Sequence, residues 1–301
     1  MKLTILGCHA ATPRTLSNPS AQALEVGKNI FLIDCGEATQ VQLRKNKVRF
    51  ARINQVFISH LHGDHVFGLV GLISTFMLLG RKNPLHLYGP VGLKEFILVQ
   101  LKLVGAWSAY DLIFHELSST EPELIFENDQ VSVTTIPLNH RVYTNGFLFV
   151  EKPGIRKLDR EAAKRYEVES CYLRNAVLGK DVPNARGELV KAEWITYPPP
   201  PVKSYAYCSD TAYSEAIIPI VKGVSAMYHE STFLDEHFDL AGKTGHSTAK
   251  QAAAIAKSAG ISMLILGHYS TRYDSLEHFK NEAQEIFDNV ELAQDGKVFE
   301  F

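Results

Sequence analysis

At 301 residues, with 46% hydrophobic and 21% charged positions, the chain can bury a substantial core as one large domain or two ordinary ones, and a soluble globular protein is expected. A formal net charge of -2 argues against a protein that coats nucleic acid non-specifically, while permitting local basic patches. No run approaches the roughly 18 apolar residues of a membrane helix, the N-terminal apolar run is too short for a signal peptide, and Cys8, Cys35, Cys171 and Cys208 stand far apart with no CxxC pair, so the expectations are no membrane association, no disulfide framework and a cytoplasmic location.

In chain order, KLTILG and NIFLIDCG read as strands stopped by glycine, and INQVFISH as a third. VFGLVGLISTFMLLGR, residues 66–81, is long and apolar enough for a buried helix. A strand LHLYGP closes on Gly-Pro, and PVGLKEFILVQLKLVG returns to the helical pattern. LIFHEL, VSVTTIPL and GFLFVE read as strands. Residues 151–201 break the rhythm, being charged, without a clean apolar period, and ending in YPPPPVK, which cannot continue a helix or a central strand. They read as an insertion projecting from the body. Beyond them SYAYCSD, SAMYHES and SMLILGH are strands, TAKQAAAIAKSAG and SLEHFKNEAQEIFDN helices, and KVFEF a last edge strand. Strands first, then strand and helix interleaved in two comparable halves, predict an α/β protein with sheets inside and helices outside. Two patches are basic: LRKNKVRFAR (43–52), with five basic residues and no acid, and residues 151–166, with six basic residues against three acids. Each also fits a merely solvated face.

The stretch ISHLHGDHVFGL, residues 58–69, carries the densest chemistry, with three histidines and an aspartate within six positions behind a strand. In an extended segment residues i and i+2 point the same way, so His60 and His62 can offer imidazoles to one ion. Gly63 permits a sharp turn that swings Asp64 and His65 towards a second ion at the start of the following helix. One zinc ion takes about four ligands, so this cluster is too rich for one ion and too poor for two. Three later strand ends supply the remainder: IPLNH at His140, YAYCSDT at Asp210 and LILGH at His268. Gathered at one sheet edge, His60, His62 and His140 serve one ion and Asp64, His65 and His268 the other, with Asp210 as a bridging carboxylate of the kind that a pair of ions about 3.5–4 Å apart requires. A single buried histidine is more often hydrogen-bonded than metal-bound, and His9, His86, His115, His237 and His278 are read that way.

SHLHGDHVFGL resembles the signature of the metallo-β-lactamase superfamily. DCGEATQ (34–40), YGP (88–90), SDT (209–211), HEST (229–232), GHST (245–248) and GHYSTRY (267–273) resemble, in order and spacing across nearly the whole chain, the ribonuclease Z family within it. The resemblance implies an α/β (α+β) four-layered αββα sandwich over residues 1–301, with a flexible arm at about 151–201 and two zinc ions (Zn2+) per chain. It supports the ligand set above and gives Asp64 a second, catalytic role as the base that orients or deprotonates the attacking water. His246 matches the proton donor to the leaving 3'-oxygen. Glu230 either orients His246 or buttresses the metal loop. Asp34 either accepts a hydrogen bond from a ligand histidine or caps its strand. The implied partner is precursor tRNA, held by the arm of a homodimer in which one subunit presents tRNA to the other. Two departures stand out: the arm has EVESCYLRNAVLGKD in place of a Gly-Pro-rich core, and the N-terminal glycine-rich turn is altered to GCHAATPR.

The expected function is a zinc-dependent endoribonuclease that cuts precursor tRNA after the discriminator. The alternatives are a small-molecule hydrolase or phosphodiesterase of the same superfamily, against which the basic arm and GHST argue, and a metal-bound RNA-binding protein without turnover.

Overall fold

Apolar β-branched and aromatic runs recur through both halves of the chain, and in the computed structural model they pair into two seven-stranded sheets. The structure describes every residue except 13, 14, 16, 107 and 108, so Pro13 and Arg14 of the altered N-terminal turn lie outside the described residues. The first sheet runs Val298–Glu300, Lys2–Gly7, Ala21–Val26, Asn29–Ile33, Ile53–Phe57, Leu85–Pro90, Leu112–Leu117. Its last four strands are parallel. The second runs Val290–Leu292, Leu264–Gly267, Ala226–Glu230, Ser204–Cys208, Asn145–Glu151, Val131–Pro137, Leu124–Glu127. Its first four strands are parallel, and Ser204–Cys208 is antiparallel to Asn145–Glu151. Four carboxyl ends in each sheet therefore face one way, an arrangement that places ligands outside those ends.

Near-continuous burial along the central strands, such as Asn29–Ile33, Ser204–Cys208, Ala226–Glu230 and Leu264–Gly267, reflects cover on both faces. Between the sheets, Phe57 meets Phe147 and Phe149 with ring centroids 5.3 and 5.4 Å apart, and Phe31 lies 5.4 Å from Phe149. On the outer face of the first sheet, Leu43, Leu69, Leu72, Phe76, Leu93, Ile97 and Leu101 project from helices Thr39–Lys45, Gly68–Leu78 and Leu93–Leu103 onto Leu32, Val56, Leu85 and Leu87. Helix Ala249–Ala259 packs on strands Ala226–Glu230 and Leu264–Gly267, and helix Glu277–Gln284 on Val290–Leu292. The layers are thus helix, sheet, sheet, helix. Among the described residues no helix is long and apolar enough to cross a membrane.

The expected helix over 66–81 starts later, at Gly68, because a separate turn Gly63–Val66 precedes it and Phe67 joins the two. Strand Ala21–Val26 has no sequence-level counterpart: Gln22 and Glu25 interrupt its apolar pattern, and it is buried because Lys2–Gly7 and Asn29–Ile33 flank it.

Residues 128–131 and 151–202 form a second compact unit. Within it, helix Arg160–Arg165 is capped by the Asp159 side chain, which accepts from the amides of Glu161 and Ala162. Ala162, Ala163, Ala176, Val182, Val190 and Ile195 form a small core of mostly short side chains, spaced too irregularly to register as a periodic pattern.

Candidate metal centre

The histidine-rich stretch leaves the parallel strand Ile53–Phe57. His62 is extended and starts the short helix Gly63–Val66. A Cβ on Gly63 would lie 2.3 Å from the Phe67 ring, so a side chain there would have to displace that exposed ring. From the second sheet, Ser204–Cys208 ends two residues before Asp210, Leu264–Gly267 ends directly before His268, and Val131–Pro137 ends three before His140. His268 sits in the left-handed region at φ 60°, which turns its ring back towards the sheet edge.

All seven residues predicted as ligands converge. The ligand atoms of His60, His62, His140 and Asp210 lie within 4.8 Å of one another, as do those of Asp64, His65 and His268. The two groups meet at Asp210. Its Oδ2 lies 3.6 Å from His60 Nε2 and 3.9 Å from His140 Nε2, whereas its Oδ1 lies 3.3 Å from His65 Nε2 and 3.2 Å from His268 Nε2. Asp64 Oδ2 is 3.5 Å from His65 Nε2 and 3.4 Å from His268 Nε2. Donors bound at about 2.0–2.1 Å to one tetrahedral ion stand about 3.4 Å apart, so this spacing suits coordination. His140 Nε2 is buried and has no hydrogen-bond partner among the described residues, which suits a nitrogen aimed at an ion.

The far sides of the His65, His140 and His268 rings are fixed. His65 Nδ1 is 2.7 Å from Asp34 Oδ2, which also accepts from Tyr207 at 2.6 Å and from the Ser59 hydroxyl at 2.9 Å. His140 Nδ1 donates to the Gly245 carbonyl at 2.7 Å, and His268 Nδ1 meets the Thr232 hydroxyl at 2.9 Å. Such contacts fix the tautomer and orientation of ligating imidazoles. Burial pushes the His60 imidazole well below its usual range, and burial likewise lowers His62 and His140, keeping these donors neutral. Burial opposes charge on His65 too, but Asp210, Asp64 and Asp34 outweigh it and raise its pKa. Burial also opposes ionisation of Asp64 and Asp210, yet the surrounding histidines hold both carboxylates below their usual range. This concentration of negative charge at a buried edge attracts cations.

His246 lies on the linker between two helices. Gly245, at φ 74°, ends helix Phe238–Thr244, and Thr248 caps helix Ala249–Ala259 through a capping box with Gln251. The His246 ring centroid is 5.1 Å from that of His140 and 5.5 Å from that of His268. Its Nδ1 donates to Glu230 Oε1 at 2.9 Å. Glu230 is fully buried and accepts in addition from the amides of Thr211, Ser247 and Thr232 and from the Thr232 hydroxyl. Both sequence-level readings of Glu230 therefore have a structural counterpart. Burial disfavours charge on His246, but the Glu230 carboxylate prevails and raises it to about 8. Asp34 contacts His65, one of the candidate ligands, rather than serving only as a strand cap. Tyr207 was not singled out in the sequence; its alternation along strand Ser204–Cys208 gives the face, but only the second sheet's position shows that its hydroxyl reaches Asp34. The histidines read as ordinary include a pair on neighbouring strands, His86 and His115, 3.0 Å apart, and His237, which meets the Tyr273 hydroxyl at 2.8 Å.

Proteins named ribonuclease Z resemble this chain along nearly its whole length. That of Bacteroides thetaiotaomicron is 42% identical over 98% of this chain and 93% of its own, and that of Cytophaga hutchinsonii 46% identical over 99% and 95%. The chain belongs to the ribonuclease Z family. Among solved structures, the short form of human tRNase Z, a fellow by fold, aligns over 100% of this chain and 99% of its own at 28% identity and a TM-score of 0.74. YhfI of Bacillus subtilis, described as a metallo-β-lactamase fold protein, aligns with a TM-score of 0.69 at 19% identity, covering 100% of this chain and 99% of its own, and shows the shared fold. A family model described as the anti-Pycsar protein Apyc1 matches residues 1–149, which include the histidine-rich stretch and the sequence up to and beyond His140.

Proposed function

We propose that this chain is an endoribonuclease that removes the 3' trailer from precursor tRNA, using two zinc ions held by His60, His62, His140, Asp64, His65, His268 and the bridging Asp210. The observation that carries the reading is the division of Asp210, one oxygen turned to each group of imidazoles, in a chain of the ribonuclease Z family. A pair of divalent ions bound there supplies a nucleophile from water at neutral pH and withdraws charge from the scissile phosphate.

The protein's own groups do the rest. In this reading Asp64, which lies between His65 and His268, accepts a proton from the attacking water or orients it. His246 donates a proton to the leaving 3'-oxygen, and Glu230 holds the Nδ1 side so that Nε2 is the donating atom. An expelled ribose alkoxide is a poor leaving group, and a positioned acid contributes about 10²–10⁴-fold. The basic residues of 151–166 contact tRNA phosphates and add affinity without entering the chemistry. A cytoplasmic homodimer belongs to the same reading, supported by the family resemblance.

The test is to incubate the purified protein with a 3'-extended precursor tRNA and map the new end. A cut after the discriminator that leaves a 3'-hydroxyl on the tRNA is expected. No cleavage of the precursor, together with hydrolysis of small or cyclic phosphodiesters, would favour the small-molecule phosphodiesterase instead.

A further inference from the structure

The altered N-terminal turn, GCHAATPR, has no place in the chemistry above, yet it assembles a second kind of donor set. Cys8 Sγ lies 3.8 Å from His9 Nδ1 and 3.7 Å from Asp295 Oδ1, and the three ligand atoms fall within 4.8 Å of one another. We propose that Cys8, His9 and Asp295 form a third metal site, distinct from the seven-residue centre, that takes a zinc-class divalent cation through a thiolate, an imidazole and a carboxylate.

Three observations support it. First, the spacing is close to what coordination needs: with sulfur at about 2.3 Å and nitrogen or oxygen at about 2.0–2.1 Å from a tetrahedral ion, donors stand about 3.5 Å apart. Small side-chain movements close the set. Second, the frame is preorganised. The amides of Cys8 and His9 both donate to the Asn18 carbonyl, at 3.0 and 3.1 Å, which fixes the backbone between them. Asn18 also donates its amide and its side-chain Nδ2 to Asp295 Oδ2, at 2.8 and 2.7 Å, which turns Oδ1 towards the cysteine. Third, the charge balances. One thiolate and one carboxylate offset a divalent cation, the neutral imidazole adds a donor of the borderline softness such cations favour, and the thiol proton passes to solvent on binding. Cys8 is fully buried, whereas His9 and Asp295 are partly exposed, leaving a route for the ion and a fourth position for water.

The site would brace the candidate metal centre. The Cys8 carbonyl accepts from the His268 amide at 2.8 Å, and three residues on the Ala11 amide donates to Asp64 Oδ2 at 2.9 Å. An ion that ties Cys8 and His9 to Asp295 therefore holds the segment on which two of the seven ligands rest.

Cobalt(II) distinguishes this site from its neighbour, because the seven-residue centre contains no cysteine. Metal-free full-length protein reconstituted with excess cobalt should show a near-ultraviolet thiolate-to-cobalt charge-transfer band. His9→Ala should bind one equivalent less than wild type and weaken the band, and Cys8→Ser should abolish it, with the other three cysteines retained throughout. The thiolate band is read independently of how many ions the main centre holds and of any nuclease activity. Should either variant fold poorly by circular dichroism, the near-isosteric Asp295→Asn carries the same readout. Absence of the band in wild type, or a band and stoichiometry unchanged in His9→Ala and Asp295→Asn, overturns the proposal.

Discussion

Asp210 and His246 sit within one cluster of ligand atoms with His268, yet their contacts predict opposite phenotypes. Asp210 reaches both groups of imidazoles, so Asp210→Ala should lose most of the metal from both; elemental analysis that finds one ion retained at full occupancy would count against a bridge. His246 is held by Glu230 on one nitrogen, and its replacement leaves all seven proposed ligands in place. His246→Ala should therefore keep its metal while kcat on precursor tRNA falls by about 10²-fold or more. With a p-nitrophenyl phosphodiester, whose leaving group needs no proton, the defect should shrink markedly, and an equal loss on both substrates would remove the general-acid role. Asp34 lies one contact further out. Because it orients His65, Asp34→Ala should weaken metal affinity by about 10–100-fold in chelator competition, with no direct effect on the acid.

At the scale of elements, the start of helix Gly68–Leu78 is positioned by close backbone contact as well as by the packing of its apolar face. Its first amide donates to the Cys35 carbonyl at 2.9 Å, and a Cβ on Gly68 would stand 2.0 Å from the Gly36 carbonyl oxygen. Gly68→Ala must push the helix off the sheet edge, and a loss of about 1–3 kcal/mol is expected from denaturant unfolding. Gly71, one turn on, offers the contrast: its added Cβ would meet only the tip of the Gln40 side chain, at 2.9 Å, which can swing away. Gly71→Ala should be neutral or stabilise by up to about 1 kcal/mol through helix propensity. If both variants unfold alike, the close approach of helix and strand end is not what fixes the ligand turn. Sequence patterns located this helix because its apolar run is long. They missed Ala21–Val26, whose polar Gln22 and Glu25 are accommodated by a tyrosine hydroxyl and by a 2.8 Å ion pair to Lys2.

For the whole molecule, the strands on either side of the second unit determine what its removal does. Val150 and Ser204 are register partners in adjacent antiparallel strands, so the chain can close between them with a short turn. Replacing residues 152–198 with a Gly/Ser linker should preserve metal content and small phosphodiester hydrolysis, while precursor-tRNA binding weakens and its salt dependence becomes shallower. A salt slope equal to that of wild type would shift attention to LRKNKVRFAR. There Arg44 stacks over Phe50 at 5.5 Å and Arg52 donates to the Lys28 carbonyl, leaving fewer cations fully available.

The convergence of the seven candidate residues was legible in the sequence because coordination needs particular side chains and strand ends announce themselves: HLHGDH, and the apolar runs that stop at His140, Asp210 and His268, required no knowledge of the fold beyond a shared edge. The role proposed for His246 and the order of the layers became legible through resemblance to a family, since GHST by itself is only a helix cap preceded by a histidine. What depended on tertiary structure was everything decided by residues far apart in sequence. The two sheets bring Tyr207 to Asp34, the stacking of parallel strands turns each Asp210 oxygen to a different set of rings, and the turn at Cys8 meets Asp295 across 287 positions of chain. Local pattern carries periodicity and side-chain chemistry, whereas distance, burial and hydrogen-bond partner belong to the packed state.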